Sequence, residues 1–582
     1  MIKVKYYKIN VGGQMFPKIS RVKKGKQVYE YLRLVESYRT KGKKKQRVVA
    51  NLGAVESLKG SLDGIVDKLR EYCSERYVKP NEITADEMPT WGTVLVARKL
   101  WNDLKIGRII KRRCCEWTKG TDIETSAFVL VASSLIKPSS KHGLSWWLDE
   151  SYVCGNDGKR ILPDWRQGVT KEKRVRISWK QLKQWYRVLN ILLRHKEEIE
   201  KDIYDNLVDL FGLKVDVVFY DMTSLYFEGE GPEGLAEYGK SKDGKNRNRQ
   251  ILLGIVMASG WPVAHHVFSG NSSEKKTVPI IIGDLKKRFE IEKIIFVGDS
   301  GMVSPENIEE IERQEYKYII AQKRRRNNEV EKVLADNSDK WLICEKGTKV
   351  KEVNIIEGTR HFVVHSEGRQ AYEHSILENN VQKTRCNLEE LKKGLDKGLI
   401  KKPENIGYRI SSVLHERKGY RYFSWEITKE GKLRYWQDEE KMKKEKAIEG
   451  IYVLKSNDKN IRPQEVVIAY KELCNVESLF REFKDVLEGR PIWHQTPEGT
   501  KAHIFIRALG YLLDTALHKK MEAAGVNLTV EEAIKSLEQV KIAELKLNGE
   551  RRQIVTGAKY YAGAVLKSVG LSGYKNLLPG MI

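Results

Sequence analysis

Hydrophobic and polar positions change rhythm three times along the chain. In VYEYLRLVESYR the two alternate with period two, TKGKKKQ interrupts, and RVVANLG resumes, so a β-hairpin is predicted with Lys41, Lys43, Lys44, Lys45 and Arg47 at its tip. Beyond residue 55 the apolar spacing lengthens to three and four, which predicts helices near 56–75, 93–111, 122–136 and 178–210, with a loop or small strands over 150–175. From about 214 the strand signal returns. KVDVVFYDMTSLYF gives a strand that stops near Asp221, and RQILLGIVMASGWPVAHHVFSG gives two more around an ASGWP turn. A helix follows over roughly 275–290, IEKIIFVGDSG is a buried strand, Pro305 opens another helix, and YKYIIAQ is a further strand.

The order β, β, β, α, β, α, β is that of a ribonuclease-H-like core, an antiparallel three-strand unit extended by parallel strands through right-handed helical crossovers. In that topology the first strand and the strand after the first helix are parallel neighbours. Asp221 and Asp299 then stand at adjacent C-terminal strand ends, where sheets with parallel strands bind their ligands. Two carboxylates so close repel each other unless a cation neutralises them, and hard oxygen donors suit Mg²⁺ or Mn²⁺. Asp216, upstream on the same strand, is the competing residue. A third acid is expected from the helix RPQEVVIAYKELCNVESLFREFKDVLEGRPI, entered after Pro463 and ended near Gly489 and Pro491. Its apolar stripe runs through Val466, Ala469, Tyr470, Leu473, Val476, Leu479, Phe480 and Phe483, and Glu477 lies amid it. Tyr470 and Lys484 stand seven residues to either side of Glu477, close to two helical turns, so all three project in nearly one direction. Lys484 is a candidate phosphate contact.

Charge adds a partner. The 582 residues carry 105 Lys and Arg against 79 Asp and Glu, a formal +26, which favours a polyanion, with nucleic acid first and an anionic membrane surface second. The surplus is uneven: residues 1–50 hold 15 basic and 2 acidic residues, residues 1–200 hold 42 and 22, and residues 201–582 hold 63 and 57. KEKRVRISWKQLKQWYRVLN sets Lys171, Lys173, Arg174 and Arg176 beside Trp179, Trp185 and Tyr186, a mixture that suits a nucleic-acid face, although aromatics at helical spacing are more often core. The longest apolar runs are too short or too Ser-rich to span a bilayer, and no secretory apolar region follows Met1, so a cytoplasmic protein is expected. Seven scattered cysteines without a CxxC pair indicate neither a disulfide framework nor a zinc module, and no Walker-type nucleotide site is present.

These residues resemble the DDE transposases of prokaryotic insertion sequences, in particular the insertion-sequence-4-like group with its tyrosine, arginine, glutamate, lysine signature. Tyr470, Glu477 and Lys484 match that signature, Leu473 stands where its arginine is expected, and Arg481 is a candidate to take over part of that task. YGKSKDGKNRNRQILLG, VFSGNSSEKKT and FVGDSGMVSPENI are similar to the family's blocks around its aspartates, and the YLRLVESYR hairpin with VVANLG resembles the extension of one branch. The resemblance implies metal-dependent cutting of double-stranded DNA at the element's terminal inverted repeats and joining to target DNA, within a homodimer. Asp221, Asp299 and Glu477 would hold two Mg²⁺ or Mn²⁺ ions about 4 Å apart for an in-line displacement. Asp221 and Asp299 are 78 residues apart, whereas Asp299 and Glu477 are 178 apart, so an insertion is expected over approximately 326–455. It is read as largely β around a Lys-rich helical segment, with Trp341, Trp425 and Trp436 as candidates for base stacking. The expected organisation is a basic hairpin region (1–55), a helical DNA-binding region (56–210), the catalytic core (211–325 and 456–520), the insertion, and a C-terminal helical region (521–582). A ribonuclease-H-like nuclease or resolvase and a catalytically silent DNA-binding descendant are the alternatives.

Overall fold

The computed structural model describes residues 15–40, 43–70, 72, 83–115, 122–155, 158–163, 179–211, 217–241, 244–289, 295–298, 304–325, 327–336, 340–356, 359–397, 403–428, 432–481, 483–484, 492–547 and 550–577. The chain divides into two compact units, 1–87 with 544–554 and 88–543 with 555–582.

The first unit begins with strands Met15–Lys24 (β1), Gln27–Thr40 (β2) and Lys43–Ala54 (β3), then helices Val55–Leu58 (α1) and Leu62–Arg70 (α2) and strand Ile83–Glu87 (β4). β2 is the centre of an antiparallel sheet ordered β1-β2-β3. β1, absent from the sequence-based prediction, pairs with β2 from Met15↔Glu36 to Lys24↔Gln27. The tight turn between them has Gly25 at φ 62°, a left-handed conformation that glycine adopts without a Cβ penalty. Lys43, Lys44 and Lys45 lie within β3 rather than beyond it, opposite Thr40, Arg39 and Tyr38, and Lys41 lies outside the described residues.

The second unit opens with helices Gly92–Asp103 (α3), Ile106–Arg113 (α4), Ile123–Ile136 (α5), Leu144–Glu150 (α6), Trp179–Arg194 (α7) and Lys196–Phe211 (α8). The single helix predicted over 93–111 is broken by Lys105, which takes φ 55°. The core series follows: Val217–Tyr226 (β5), Gln250–Ala258 (β6), Trp261–Ser269 (β7), Glu274–Phe289 (α9), Ile295–Gly298 (β8), Pro305–Arg313 (α10) and Lys317–Ala321 (β9). The next segment comprises Asn328–Leu334 (α11), Leu342–Glu345 (β10), Thr348–Ile356 (β11), Thr359–Ser366 (β12), Glu367–Asp396 (α12), Pro403–Glu416 (α13), Phe423–Ile427 (β13), Leu433–Gln437 (β14), Glu439–Ala447 (α14) and Ile451–Ser456 (β15). The chain closes with Pro463–Arg481 (α15), Pro497–Ala523 (α16), Val530–Leu537 (α17), Ile542–Leu547 (β16), Glu550–Val555 (β17) and Tyr560–Ser568 (α18). Among the described residues no helix is long and apolar enough to cross a membrane.

Nine strands make one sheet, ordered β10-β11-β12-β15-β9-β8-β5-β6-β7. β5, β8 and β9 run parallel while β6 and β7 are antiparallel, the ribonuclease-H-like order expected from the sequence. β5 does not stop at Asp221; it continues to Tyr226, held throughout by β6. Period-two alternation builds a core on each face. Val218, Tyr220 and Met222 join the core shared with α3–α5, α7–α9 and α16–α18, whereas Phe219 and Leu225 join the core under α15. Gly254 on β6 faces the Tyr220 ring so closely that a Cβ there would meet the phenol oxygen at 2.6 Å.

The structure divides the chain differently from the sequence-based reading in three places. Helices α3–α8 are no separate region, because their apolar faces, from Trp91 through Leu207, are continuous with the core on one side of the sheet. The insertion contributes β10, β11, β12 and β15 to the catalytic sheet, yet its longest element is the 30-residue helix α12, and α12, α13, α14 and the β13-β14 hairpin enclose a small core of their own. The C-terminal region expected to be helical includes β16 and β17, which complete a sheet ordered β17-β16-β4. IAELKL and RRQIV alternate around Asn548-Gly549, a hairpin signal present in the sequence.

Candidate active site

The two strands expected to lead to the aspartates are paired in parallel. β5 and β8 pair as Val217↔Ile295, Val218↔Phe296 and Phe219↔Val297, an offset of 78. Asp221 lies in β5 with Ile255 of β6 as its cross-strand partner, and Asp299 follows Gly298, the last residue of β8, in sequence. Asp299 itself, like the competitor Asp216, lies outside the described residues, and the Asp221 and Glu477 side chains are likewise outside the description. Glu477 belongs to α15, which packs on β5, β8 and β9 and reaches the insertion strands β10, β11 and β12. Pro463 starts that helix as expected, and Val466, Ala469, Leu473 and Phe480 are buried against the sheet.

Around this point the signature residues have diverse surroundings. Tyr470 is half-buried, its ring 5.5 Å from that of Tyr452 on β15. Leu473 is 6% exposed in the core between α15 and the sheet, so the position where the signature has arginine is apolar packing here. Lys484 is buried, which does not favour an open phosphate contact, while Arg481 is exposed.

A cleft of about 710 Å³ opens beyond β9, lined by Ser304, Gln322, Lys323, Asn327 and Lys455. Two helices begin at it: Ser304 caps α10, accepting from the Asn307 amide, and Asn327 caps α11. At its edge Glu329 accepts from Lys455 Nζ at 2.9 Å and lies 2.8 Å from His361 Nε2. Burial would raise the Glu329 pKa, but Lys455 and His361 outweigh it and hold the carboxyl below its ordinary range.

The blocks that resemble the family's are structural in part. Gln250 donates through Nε2 to the Gly270 carbonyl at 3.0 Å, Asn248 Nδ2 to the Phe227 carbonyl at 3.1 Å, and Arg249 to the Ala236 carbonyl at 3.1 Å. A Cβ on Gly239 would meet the Gly270 carbonyl oxygen at 2.1 Å. Gly239, Gln250 and Gly270 thus lock the loop after β5 to the β6-β7 hairpin. The polar loop residues in NRNRQ carried a sequence signal, but their spacing alone did not reveal this anchoring role.

Two family models match the chain: the IS1634 family transposase N-terminal domain over residues 17–82 and the transposase DDE domain over residues 214–513. The chain belongs to the DDE transposases. The second match spans β5 through most of α16, so it contains the sheet, α15 and the whole insertion. No curated protein matches the chain. Among solved structures, a piggyBac transposase synaptic complex with hairpin DNA is similar at 11% identity, with 77% of this chain and 79% of that chain covered and a TM-score of 0.32. As a transposase the protein is a DNA-cleaving and strand-transferring enzyme that binds DNA, and its domain type uses divalent metal.

The remaining candidate DNA contacts of the transposase divide by exposure. Lys43, Lys44, Lys45 and Arg47 are all exposed on β3, and Arg47 also pairs with Glu36 at 2.6 Å and lies over the Tyr38 ring. Lys171, Lys173, Arg174 and Arg176 lie outside the described residues, as does the Trp179 side chain. Trp185 is buried in the core. In the insertion Trp341 packs against Lys349 and Lys351, while Trp425 and Trp436 are 37% and 44% exposed on opposite faces of the β13-β14 hairpin. Among the described residues no three His, Cys, Asp or Glu side chains form a metal-holding group.

Proposed function

We propose that Asp221, Asp299 and Glu477 are the acids of this transposase, and that they act on double-stranded DNA at the terminal inverted repeats of its own element. The observation that carries the assignment is the β5-β8 register: its offset of 78 equals the interval from Asp221 to Asp299, and α15, bearing Glu477, packs on both strands. Odd positions of β5 such as Phe219 and Leu225 face the α15 side, which supports Asp221 on that side as well.

Three carboxylates from two strands and a helix are a hard-oxygen donor set that fits Mg²⁺ or Mn²⁺, two per site in this reading. Bound there, the metal supplies Lewis-acid polarisation of phosphoryl oxygens. The chain's own part is positional. In this reading the paired strands β5 and β8 supply two of the acids and α15, which packs on both strands, supplies the third. The exposed lysines of β3 add sequence-independent attraction for phosphates. Two copies acting on paired ends complete the reading, which family resemblance supports.

Labelled element ends incubated with Mg²⁺ or Mn²⁺ test it. Asp221→Asn, Asp299→Asn and Glu477→Gln should each abolish cleavage and joining while leaving binding to the ends intact. Cleavage retained by any of them removes that residue from the site. Cutting without joining by the native chain would favour the nuclease alternative.

A further inference from the structure

Helices α3 and α4 are joined only through Leu104 and Lys105, and Lys105 takes φ 55° and ψ 19°. Glycine enters that left-handed region without a Cβ penalty, whereas lysine is strained there. A lysine kept at such a turn points to a task for its side chain. Lys105 lines a cavity of about 390 Å³ enclosed by α3, α4, α5 and the segment after α6.

The cavity has an aromatic inner wall and a cationic mouth. Trp91, Val94, Leu95, Phe128 and Tyr152 line it and are at most 5% exposed. One buried acid stands among them. Glu124 accepts from Arg98 Nη1 and Trp101 Nε1 on Oε1, each at 2.7 Å, and the Arg98 guanidinium lies over the Phe128 ring at 3.5 Å. Glu124 Oε2 has a longer contact, 3.5 Å from Thr125 Oγ1, whose closer partner is Asp122 at 2.6 Å. Gly107 lets α4 pass directly over this carboxylate, since a Cβ there would meet Oε1 at 2.7 Å. At the mouth Lys105, Arg108 and Lys111 are exposed, and the Lys105 and Arg108 side chains engage no partner among the described residues.

Tying α3 to α5 accounts for the Arg98 and Trp101 contacts of Glu124. It accounts neither for the open volume nor for a strained lysine at its edge. The volume falls in the range of roughly 300–1,000 Å³ that takes small ligands. Buried aromatic rings beside a carboxylate acceptor suit a planar ring that carries N–H donors, and exposed cations at the mouth suit a phosphate.

We propose that this cavity takes one nucleotide, its base against Trp91, Phe128 and Glu124 and its phosphate at Lys105 and Arg108. None of the elements assigned to catalysis, β5, β8 and α15, contributes to it. An unpaired nucleotide of the DNA and a free nucleotide share this chemistry.

The test uses the full chain with deoxyadenosine monophosphate, inorganic phosphate at the same ionic strength, and a duplex offered either blunt or with one unpaired terminal adenine. The duplex with the unpaired adenine should bind roughly ten-fold tighter than the blunt one, the effect of one stacked base. Arg108→Gln, Lys105→Asn and Asn102→Trp, which obstructs the exposed edge of the cavity, should each bring the two duplexes to within about two-fold. Lys105→Asn should melt no lower than the native chain, because asparagine tolerates the left-handed region, so its loss of preference is not a loss of fold. A melting temperature raised by the mononucleotide in the native chain but not in Lys105→Asn supports a cavity that also takes free nucleotide. No such rise, with the duplex preference present and sensitive to the variants, supports a nucleotide within DNA. Equal binding of the two duplexes with no mononucleotide effect overturns the proposal, as does a preference that all three variants retain. Inorganic phosphate raising the melting temperature as far as the mononucleotide overturns it in favour of a plain anion site. Asp221→Asn should keep the duplex preference while losing cleavage, so this proposal and the catalytic assignment fail independently.

Discussion

Replacing Glu200 by Gln removes one charge from the junction where the helical layer meets the catalytic sheet. The Glu200 carboxylate, on α8, takes Lys196 Nζ at 2.9 Å, Arg288 Nη1 of α9 at 2.5 Å and His265 Nδ1 of β7 at 2.7 Å. Arg288 is shared with Asp284, also at 2.5 Å. Burial tends to raise the Glu200 pKa, but Lys196, His265 and Arg288 overcome it and hold the carboxyl well below its ordinary range. His265 shows the opposite balance. Its Nδ1 contact with Glu200 favours the imidazolium, yet burial and Lys196 prevail and lower it to about 4. His265 Nε2, buried without a partner, agrees with a neutral ring that donates through Nδ1, because an imidazolium would bury an unsatisfied N–H.

Breaking a buried pair by removing one partner costs roughly 3–5 kcal/mol, and because Gln keeps one acceptor the lower end, about 3 kcal/mol, is expected. In a unit of about 480 residues, whose unfolding entropy is about 1 kcal/mol/K, that is a fall of roughly 3 °C in melting temperature. Circular dichroism melts of the full chain measure it, with urea unfolding as a second probe. The double variant Glu200→Gln, Arg288→Met should recover part of the loss, since no buried guanidinium is then left short of a partner. A single-variant loss below about 1 kcal/mol, or a double variant whose loss is the sum of the two singles, would refute the idea that this network clamps α8 and α9 to β7.

Other outcomes follow from the same geometry. Leu473→Arg, which restores the family signature residue, should cost about 3–5 kcal/mol, a fall of roughly 3–5 °C in melting temperature, because the position is core, while Leu473→Met costs under about 1.5 kcal/mol; equal melts would show that the position opens to solvent. Gly254→Ala forces a methyl into the Tyr220 ring and should cost about 1–3 kcal/mol in urea unfolding, and a neutral result would mean that the ring moves freely. His265 is depressed to about 4 from an ordinary 6.5, so the unfolded chain binds the extra proton first. Its stabilisation, roughly 3 kcal/mol, is complete above about pH 6.5 and lost as pH falls towards 4. Melts at pH 7, 5.5 and 4 check it, and a flat profile over that range contradicts it.

Much of the core was legible because its signals are local. β6 and β7 flank a Gly-containing turn, α10 opens on a Ser-Pro start, and α15 begins at Pro463. The misreadings concern how elements combine. Asp221 looked like a strand end because polar residues follow it, but Thr223 and Ser224 are buried within β5, paired to Leu253 and Leu252 of β6. Of the aromatics beside the basic segment over 171–190, Trp185 lies in the core, as does Trp101 of α3, while Lys171, Lys173, Arg174 and Arg176 lie outside the described residues. A tryptophan's spacing does not say which helix will cover it, and that covering helix, α16, is four hundred residues away from α3 in the chain.

The same distinction separates two uses of positive charge. Lysines of the β3 strand face solvent, where each is screened within roughly 8–10 Å and attracts any polyanion. They are three of the 15 basic residues that, against 2 acidic ones, give residues 1–50 half of the net +26, but a solvated lysine imposes little geometry on what it binds. Arg288 is used differently: it is buried between Glu200 and Asp284, so its charge is neutralised inside the protein. Affinity for DNA should therefore follow the N-terminal lysines rather than the paired, buried cations. Neutralising Lys43, Lys44 and Lys45 together is expected to weaken binding with little change in the position of the cut. End-labelled cleavage products run at single-nucleotide resolution check that second part, and a shifted cut in the triple variant would contradict it.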